Sequence, residues 1–465
     1  MPAPSVTGSQ PLAAERPQAR LGVAAGPLTL AIAVPLIFLH VRYQPKVHVG
    51  LGSTSAGIEL SDVAVLAVAV AAVVAGVRDG FAPLRIARAI WITGALFLAM
   101  VVAATIYPLA RAADYRFLTH LVTTAKFVEY GALALAVPLL LRARRDLDVL
   151  LWAFALWSAA ATAWGLLQFA GLVSELEGKR PLQREPSFLG IHDLAALSGA
   201  ALALALALLA LGPATSRERL LAWVAGPSGA LGLVLSGAFA GAIGIALAAI
   251  AALAIARSLG RLELRRGLAV GAIAAAAGVG VLLMRGGDVE NFARFIGIGH
   301  ERANERDVES SVHRSLLAYI GVRIFADHPI VGVGWQGSEE YDNYAPYLAD
   351  AHRRFPGENP RAFPSPQHAW GVQNAYLQTL TDMGVVGFAL LLALFVSGLV
   401  VGVRAALRAP PELSVPALAA LLWLLVAAGV WNGLGLVAGI PLDALTWLSF
   451  GLIAAAAAGV ARARA

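Results

Sequence analysis

Residues 310–388 read SSVHRSLLAYIGVRIFADHPIVGVGWQGSEEYDNYAPYLADAHRRFPGENPRAFPSPQHAWGVQNAYLQTLTDMGVVGF, and in them a long polar segment passes into an apolar helix. This stretch holds four of the chain's nine histidines and five of its arginines. Arginine binds anions and histidine exchanges protons near neutral pH. We therefore expect the chemistry of the protein, if it has any, to take place here.

The composition of the whole chain is that of a membrane protein. Hydrophobic residues make up 58% of it and charged residues only 14%, with a mean hydropathy of +0.72, which is far more apolar than a soluble domain. The chain contains no cysteine, which excludes disulfides, thiolate nucleophiles and cysteine-ligated metals. The net charge of +6 is expected to report membrane orientation, so we predict no nucleic-acid partner.

Twelve apolar stretches have the length of a membrane-spanning helix. They cover 21–40, 58–77, 89–108, 118–140, 149–171, 189–211, 219–236, 239–256, 267–284, 374–402, 414–431 and 440–460. The sequence therefore predicts an all-α polytopic membrane protein with about twelve transmembrane helices. The predicted divisions are a polar tail at 1–20, nine helices in 21–284, a large extracytoplasmic loop at 285–373 and three helices in 374–465. Because residues 1–20 are polar and proline-rich, we expect the first apolar stretch to be a retained span and not a cleaved signal.

The basic residues predict the orientation of these spans. If the N-terminus is cytoplasmic, the inner segments carry 18 arginines and the short outer loops carry only seven arginines and lysines. Cytoplasmic loops are generally enriched in basic residues. We therefore expect both termini in the cytoplasm, and the loop 285–373 on the outer face of the cytoplasmic membrane, where the nine histidines also fall.

The long outer loop has a helical pattern in its middle. Apolar residues recur every four positions at Val312, Leu316, Ile320 and Ile324, which predicts an amphipathic helix over 310–327. Ser310 or Ser311 is expected to cap this helix, and the His-Pro pair at 328–329 is expected to end it. Residues 341–366 are typical of a loop with short helices.

One pair of charges lies inside a predicted span. Lys126 and Glu129 are three residues apart, which places them on one face of the fourth helix. We predict a structural ion pair between them, with a proton or ion pathway as the alternative.

Two motifs of the quoted stretch resemble a known family. The patterns F-x-x-H-P-I-x-G-x-G at 325–334 and N-x-Y-L-Q-x-L-x-x-x-G-x-x-G at 374–387 are similar to those of the O-antigen ligase and polymerase superfamily of membrane glycosyltransferases. The order of elements along the whole chain fits as well. The resemblance implies transfer of a glycan from a polyprenyl diphosphate to an acceptor outside the cytoplasm.

An earlier motif, REPSFLGIHDLA at 184–195, resembles the family's R-x-x-G-x-F segment, with Ser187 in place of the glycine. The resemblance implies that Arg184 binds the diphosphate. A guanidinium beside a helix N-terminus also suits phosphate oxygens on physical grounds. The partners implied are thus a polyprenyl-diphosphate-linked glycan donor, a saccharide or glycolipid acceptor and the lipid bilayer.

The chain departs from the family at two places. Gln373 stands where most ligases carry a histidine that is proposed to activate the acceptor, so we predict His368 or His313 as the catalytic base. Ser236, Gly237 and Ala238 stand where the family tends to have Ser-Arg-Gly.

One phosphate-binding arginine is therefore missing at that turn. We predict that Arg314 or Arg323 takes over its role in binding the diphosphate.

The remaining predicted site residues bind the acceptor or the glycan. They are Asn374, Tyr376 and Gln378, which match the family motif, and Asp342 in the acidic and aromatic segment 339–344. A helix cap is the alternative role of Asn374, and a solvated loop is the alternative for 339–344. Because arginines can supply the positive charge and the outer loops hold no Asp-x-Asp pair, we predict no catalytic metal and no cofactor.

Several functions remain open at this point. A ligase and a polymerase differ only in the acceptor, and a protein glycosyltransferase of the same superfamily is a third enzyme. A transporter of lipid-linked sugars would need paired halves and broken helices at the midplane. A structural envelope protein gives no reason for arginine motifs at helix entrances.

Overall fold

The computed structural model describes residues 25–52, 54–111, 115–174, 176, 181–288, 290 and 309–464. Its helices are α1 Ala25–Ile37, α2 Leu60–Asp79, α3 Arg88–Ile106, α4 Phe117–Leu140, α5 Arg144–Phe169, α6 Ile191–Leu211, α7 Ser216–Ser236, α8 Phe239–Ser258, α9 Leu264–Met284, α10 Glu309–Asp327, α11 Tyr341–Arg354, α12 Ala375–Arg408, α13 Pro411–Val430 and α14 Pro441–Arg464. The predictions for the tail 1–20 and for His300 fall outside the described residues, as do the side chains of Ser310 and Ser311.

The predicted fold class, an all-α polytopic membrane protein, is confirmed. Within the described residues, eleven helices are long and apolar enough to cross a membrane, and each coincides with one of the predicted stretches. The remaining stretch, 21–40, contains the shorter apolar helix α1, of 13 residues. Hydropathy sufficed here because a membrane-spanning helix must be apolar over about 20 residues.

Three helices form the centre of the bundle. α6, α13 and α14 are almost entirely buried, and they are hydrophobic on all sides. α6 packs against α7, α8 and α13, and α14 packs against α4 and α13. A helix that is apolar all round belongs in such an interior. The outer helices instead expose large apolar side chains such as Val77, Trp223 and Leu264, which suits contact with lipid.

The described part of the large loop from residue 309 onward folds over one end of the bundle as a small helical layer. The amphipathic helix predicted at 310–327 is confirmed as α10, and its four periodic apolar residues are buried. Against it packs α11, which the sequence predicted only as loop with short helices. The two helices share a separate core of Leu316, Leu317, Ile320, Ile324, Tyr344, Tyr347, Ala351 and Phe363.

A β-hairpin is another described element that hydropathy did not predict. Strands β1 (Lys46–Leu51) and β2 (Thr54–Glu59) pair in antiparallel fashion between α1 and α2. Lys46 and Glu59 face each other in this ladder and form an ion pair of 3.1 Å. The hairpin is short and exposed, so it leaves the helical class of the fold unchanged.

The two family-like motifs interlock where the loop meets α12. The backbone of Gly332 lies so close to Asp382 that a Cβ at Gly332 would be 2.3 Å from the Asp382 carbonyl carbon. Gly384 breaks α12 with a φ of 61°, and a Cβ there would lie 2.2 Å from the Ile330 oxygen. Both glycines have positive φ, which other residues adopt at a cost. We call this contact between 329–334 and 381–386 the glycine lock.

The predicted ion pair between Lys126 and Glu129 is wrong, because Lys126 pairs with other carboxylates. The Lys126 ammonium lies 3.2 Å from Asp62 and 3.8 Å from Glu59, both at the start of α2. Glu129 Oε1 is buried without a hydrogen-bond partner in the described part of the chain. The charge pairing therefore joins two helices, which a spacing rule within one helix does not detect.

Candidate functional site

A backbone hydrogen bond of the next residue, Glu185, holds Arg184 against the end of α7. The amide of Glu185 donates to the Leu235 carbonyl at 2.8 Å, and this bond carries Arg184 to the turn after α7. Ser187, which replaces the family glycine, has a φ of 57° in the left-handed region. Its hydroxyl donates to the Ala161 carbonyl at 2.7 Å, which ties the strained turn to α5. The motif is therefore rigid.

A second arginine, Arg285, packs beside Arg184 at the turn 236–238. The family tends to have an arginine in this turn, and this chain lacks it. A Cβ on Gly237 would lie 3.2 Å from Arg184 Cβ and 3.4 Å from Arg285 Cγ, so both side chains pack against this turn. Arg285 is buried, stacks over the Phe239 ring at 4.6 Å and pairs with Asp288. The sequence predicted Arg314 or Arg323 as the replacement, but the side chain at this turn is Arg285.

Arg314 is the third arginine of the group. It projects from α10, and its Nε donates to Gln373 Oε1 at 3.1 Å. Burial, followed by repulsion from Arg285 and Arg184, lowers the pKa of Arg314, which nevertheless keeps its charge. We call Arg184, Arg285 and Arg314 the arginine cluster. Like charges held together in a partly buried place favour the binding of an anion.

His192 lies beside the arginine cluster. It is the second residue of α6, and its imidazole interacts electrostatically with all three arginines. Its Nδ1 atom is buried and has no hydrogen-bond partner among the described residues. A buried imidazole nitrogen without a hydrogen-bond partner among the described residues thus lies near the cluster. The sequence did not predict His192 as a site residue, although it lies inside the motif at 184–195.

The two predicted catalytic histidines both contact Trp370. The ring centroid of His313 is 5.3 Å from that of Trp370, in an edge-to-face arrangement, and the His368 ring stacks on Trp370 at 6.2 Å. Trp370 is 39% exposed and His368 is exposed. The structure thus brings the two histidines together around an accessible aromatic face. The apolar faces of sugar rings pack well on such surfaces.

The matched residues of α12 are all engaged within the protein. Asn374 caps the helix, because its Oδ1 accepts from the Leu377 amide at 3.0 Å. Tyr376 donates to the Ala428 carbonyl at 2.7 Å. Gln378 is buried, donates to Asp382 and accepts from the Leu436 amide. These contacts join α12 to α13 and to the loop before α14. They support the capping alternative for Asn374.

Two other predicted residues lie away from the arginine cluster. Arg323 is exposed, and its charge acts on Asp350 and Tyr319 at the outside of the α10–α11 layer. Asp342 is exposed in the first turn of α11. The structure therefore brings Arg184 and Arg314 together and leaves Arg323 apart from them.

An acidic pair that was predicted only as part of a sugar-binding segment lies close to these loops. Glu340 forms an ion pair with Arg116 at 2.9 Å and a hydrogen bond with His120 at 2.6 Å. Burial opposes the ionisation of Glu340, but the hydrogen bonds from His120 and Arg116 lower its pKa. Glu339, beside it, makes no such pair among the described residues, and it faces Gly371.

Sequence signals for the missed residues were weak. Arg285 closes a transmembrane helix, where arginines commonly mark the membrane surface. Glu339 and Glu340 are adjacent acids in a polar loop, a pattern typical of solvated surface. Only the folded chain shows that Arg285 reaches the turn at Gly237 and that Glu339 contacts Gly371 in the loop before α12.

Comparison with known proteins finds one family model that matches part of the chain. Residues 227–392 match the family model described as O-antigen ligase. The matched region includes Arg285, Arg314, the glycine lock and the loop that carries Trp370 and Gln373, whereas Arg184 precedes it. No curated protein matches the chain. The family implies a membrane glycosyltransferase of the ligase or polymerase type. Residues 227–392 thus resemble the O-antigen ligase family, and they lie in a chain whose long apolar helices are those of a multi-pass membrane protein.

Proposed function

We propose that the protein transfers a glycan from a polyprenyl diphosphate to a saccharide acceptor at the outer face of the cytoplasmic membrane, as a ligase does. The observation that carries this proposal is the convergence of Arg184, Arg285 and Arg314 at one end of the bundle. Three guanidinium groups from three separate parts of the chain suit a diphosphate, which has several oxygens to accept hydrogen bonds.

In the proposed reaction an acceptor hydroxyl attacks the anomeric carbon of the donor glycan. The bond from that carbon to the diphosphate oxygen breaks, and the lipid diphosphate leaves with its electron pair. Negative charge grows on the leaving oxygen, and the arginine cluster stabilises it in a partly buried place. The arginines provide this charge in the proposed mechanism, so the transfer is metal-independent and needs no cofactor.

The acceptor is proposed to bind at the loop before α12. Trp370 offers an exposed ring that contacts both His313 and His368, and Asp342 lies at the start of the neighbouring helix α11. The bias of basic residues toward one set of loops supports cytoplasmic termini and an outward-facing site. Such a site has access to lipid-linked glycans but not to cytoplasmic nucleotide sugars.

The proposal is tested with purified protein in lipid nanodiscs. The protein is incubated with the host's polyprenyl-diphosphate glycan and a glycolipid acceptor, and products are followed by gel electrophoresis and mass spectrometry. A ligase captures the glycan on the acceptor in one step and releases polyprenyl diphosphate. A growing ladder on the lipid-linked donor would identify a polymerase instead. Movement of the donor across the bilayer without a new glycosidic bond would identify a transporter.

A further inference from the structure

Glu339 is held in place by a buried carboxylate of α12. It ends the short 3-10 turn Gly337–Glu339, and the amides of Gln336 and Ser338 donate to the Asp382 carboxylate at 3.1 Å and 3.0 Å. Asp382 is fully buried and belongs to the glycine lock. The backbone that carries Glu339 is therefore held by hydrogen bonds to Asp382, so Glu339 is not part of a loosely solvated loop.

The Glu339 carboxylate lies against the loop that carries the acceptor-binding residues. A Cβ on Gly371 would lie 2.4 Å from Glu339 Oε1, so the carboxylate contacts the backbone of Gly371 directly. Trp370 precedes Gly371, and Gln373 follows two residues later and bonds to Arg314. The loop from Trp370 to Gln373 therefore contacts Glu339 through Gly371 and the arginine cluster through Gln373.

The charges around Glu339 suit a group that takes up a proton near neutral pH. Burial, followed by the negative charges of Asp382 and Glu340, raises the pKa of Glu339 to about 7, against a smaller lowering by Arg116. Arg116 and His120 engage Glu340, so their hydrogen bonds go to the neighbouring carboxylate. A general base works best when its pKa lies near the working pH.

We infer that Glu339 is the general base of the proposed transfer, in the role that the missing histidine at position 373 has in the family. This inference rests on the proposed function. The acceptor hydroxyl gives its proton to the Glu339 carboxylate while its oxygen bonds to the anomeric carbon. The carbon–oxygen bond to the diphosphate breaks, and its electron pair leaves on the lipid diphosphate at the arginine cluster. Glu339 then releases the proton to water.

The structure favours Glu339 over the residues predicted from sequence. A glutamine has no basic site, so Gln373 cannot accept the proton. His368 and His313 both contact the Trp370 ring, where they are suited to shape a sugar-binding surface. Glu339 is partly buried next to the same loop and makes no ion pair among the described residues, so its carboxylate is available to a hydroxyl.

The test compares Glu339→Gln with wild type in the nanodisc transfer assay. We expect kcat to fall by about 10²- to 10⁴-fold, the usual contribution of a general base, with little change in KM for the donor. Glu339→Asp should recover part of the rate, because it restores a carboxylate at a longer distance. The control is Asp350→Asn, which changes a carboxylate of the same layer that contacts Tyr319 and Arg353. This control should keep the wild-type rate.

A pH profile separates a base from a structural group. The wild-type rate should rise with pH through about 7 as Glu339 loses its proton, because only the carboxylate form accepts one. Glu339→Gln should lack this rise. The groups facing Glu339 are Asp382 of α12, Glu340 of its own loop and Arg116 before α4, and all three remain in the variant.

Two outcomes would overturn the inference. If Glu339→Gln transfers at the wild-type rate with an unchanged pH profile while His368→Ala or His313→Ala removes the rise, the base is a histidine and the proposed function stands. If wild type itself forms no glycosidic bond with an authenticated donor and acceptor, the proposed function fails and this inference fails with it. Unchanged donor binding by Glu339→Gln shows that the variant is folded in either case.

Discussion

At the scale of single residues, the identity of the arginines depends on the fold. Arg184 was predicted from its motif and Arg314 as a replacement for the missing arginine, and the two lie in one cluster. Arg285 was missed because it follows α9, 48 positions along the chain from the turn at Gly237 that it contacts, and no local pattern joins the two. Arg323 was the other predicted replacement, but its helix presents it to the outside.

We predict that Arg285→Ala lowers transfer by about 10²- to 10³-fold, because the removal of one preorganised donor to a charged transition state costs that much. Arg323→Ala should leave the rate within about twofold of wild type, since exposed charges distant from the reaction contribute little. Both rates come from the nanodisc assay. Loss of activity in Arg323→Ala with retention in Arg285→Ala would reverse this assignment.

At the scale of elements, the two family-like motifs make contacts within the protein that hold the outer loop against α12. Gly332 and Gly384 let two backbone segments touch, and the Asp382 carboxylate accepts hydrogen bonds from the amides of Gln336 and Ser338, just after the first segment. The motifs were located from the sequence, but their structural and chemical roles could not be distinguished there. A close approach of two backbones and a contact with substrate both select glycines and side-chain amides, so the two roles have the same sequence pattern.

We predict that Gly332→Ala destabilises the folded protein by about 2 kcal/mol or more, because it combines a positive φ with a steric clash. Thermal unfolding in detergent measures the effect. The matched control is Gly278→Ala in α9, where an added Cβ meets nothing within 4 Å. This control should unfold at or slightly above the wild-type temperature, since alanine favours helix. Equal melting of the two variants would contradict the glycine lock.

At the scale of the whole molecule, hydropathy predicted the spans and basic residues predicted their direction. These two signals are strong because lipid excludes unpaired backbone groups and charges from its interior. The β-hairpin at 46–59, the helix α11 and the layer that joins α10 to α11 were beyond this reasoning. Their stability comes from tertiary contacts, such as the shared core around Tyr344 and Ile320, and not from local periodicity.

The orientation is directly testable because the chain has no cysteine, so each introduced thiol is unique. Arg353→Cys, in α11, should react with a membrane-impermeant maleimide in intact cells or spheroplasts. Arg145→Cys, at the start of α5, should react only after the membrane is opened. Both positions are exposed in the fold. The reverse labelling pattern would place the arginine cluster on the cytoplasmic side and remove the basis of the proposed function.

The central claim is that the arginine cluster holds the diphosphate of a lipid-linked glycan during its transfer. The most direct measurement is the acceptor-dependent release of polyprenyl diphosphate by wild type and by Arg184→Ala in nanodiscs, with equal amounts of folded protein. We predict release by wild type and no detectable release by Arg184→Ala. Equal release by the two proteins would contradict the diphosphate site.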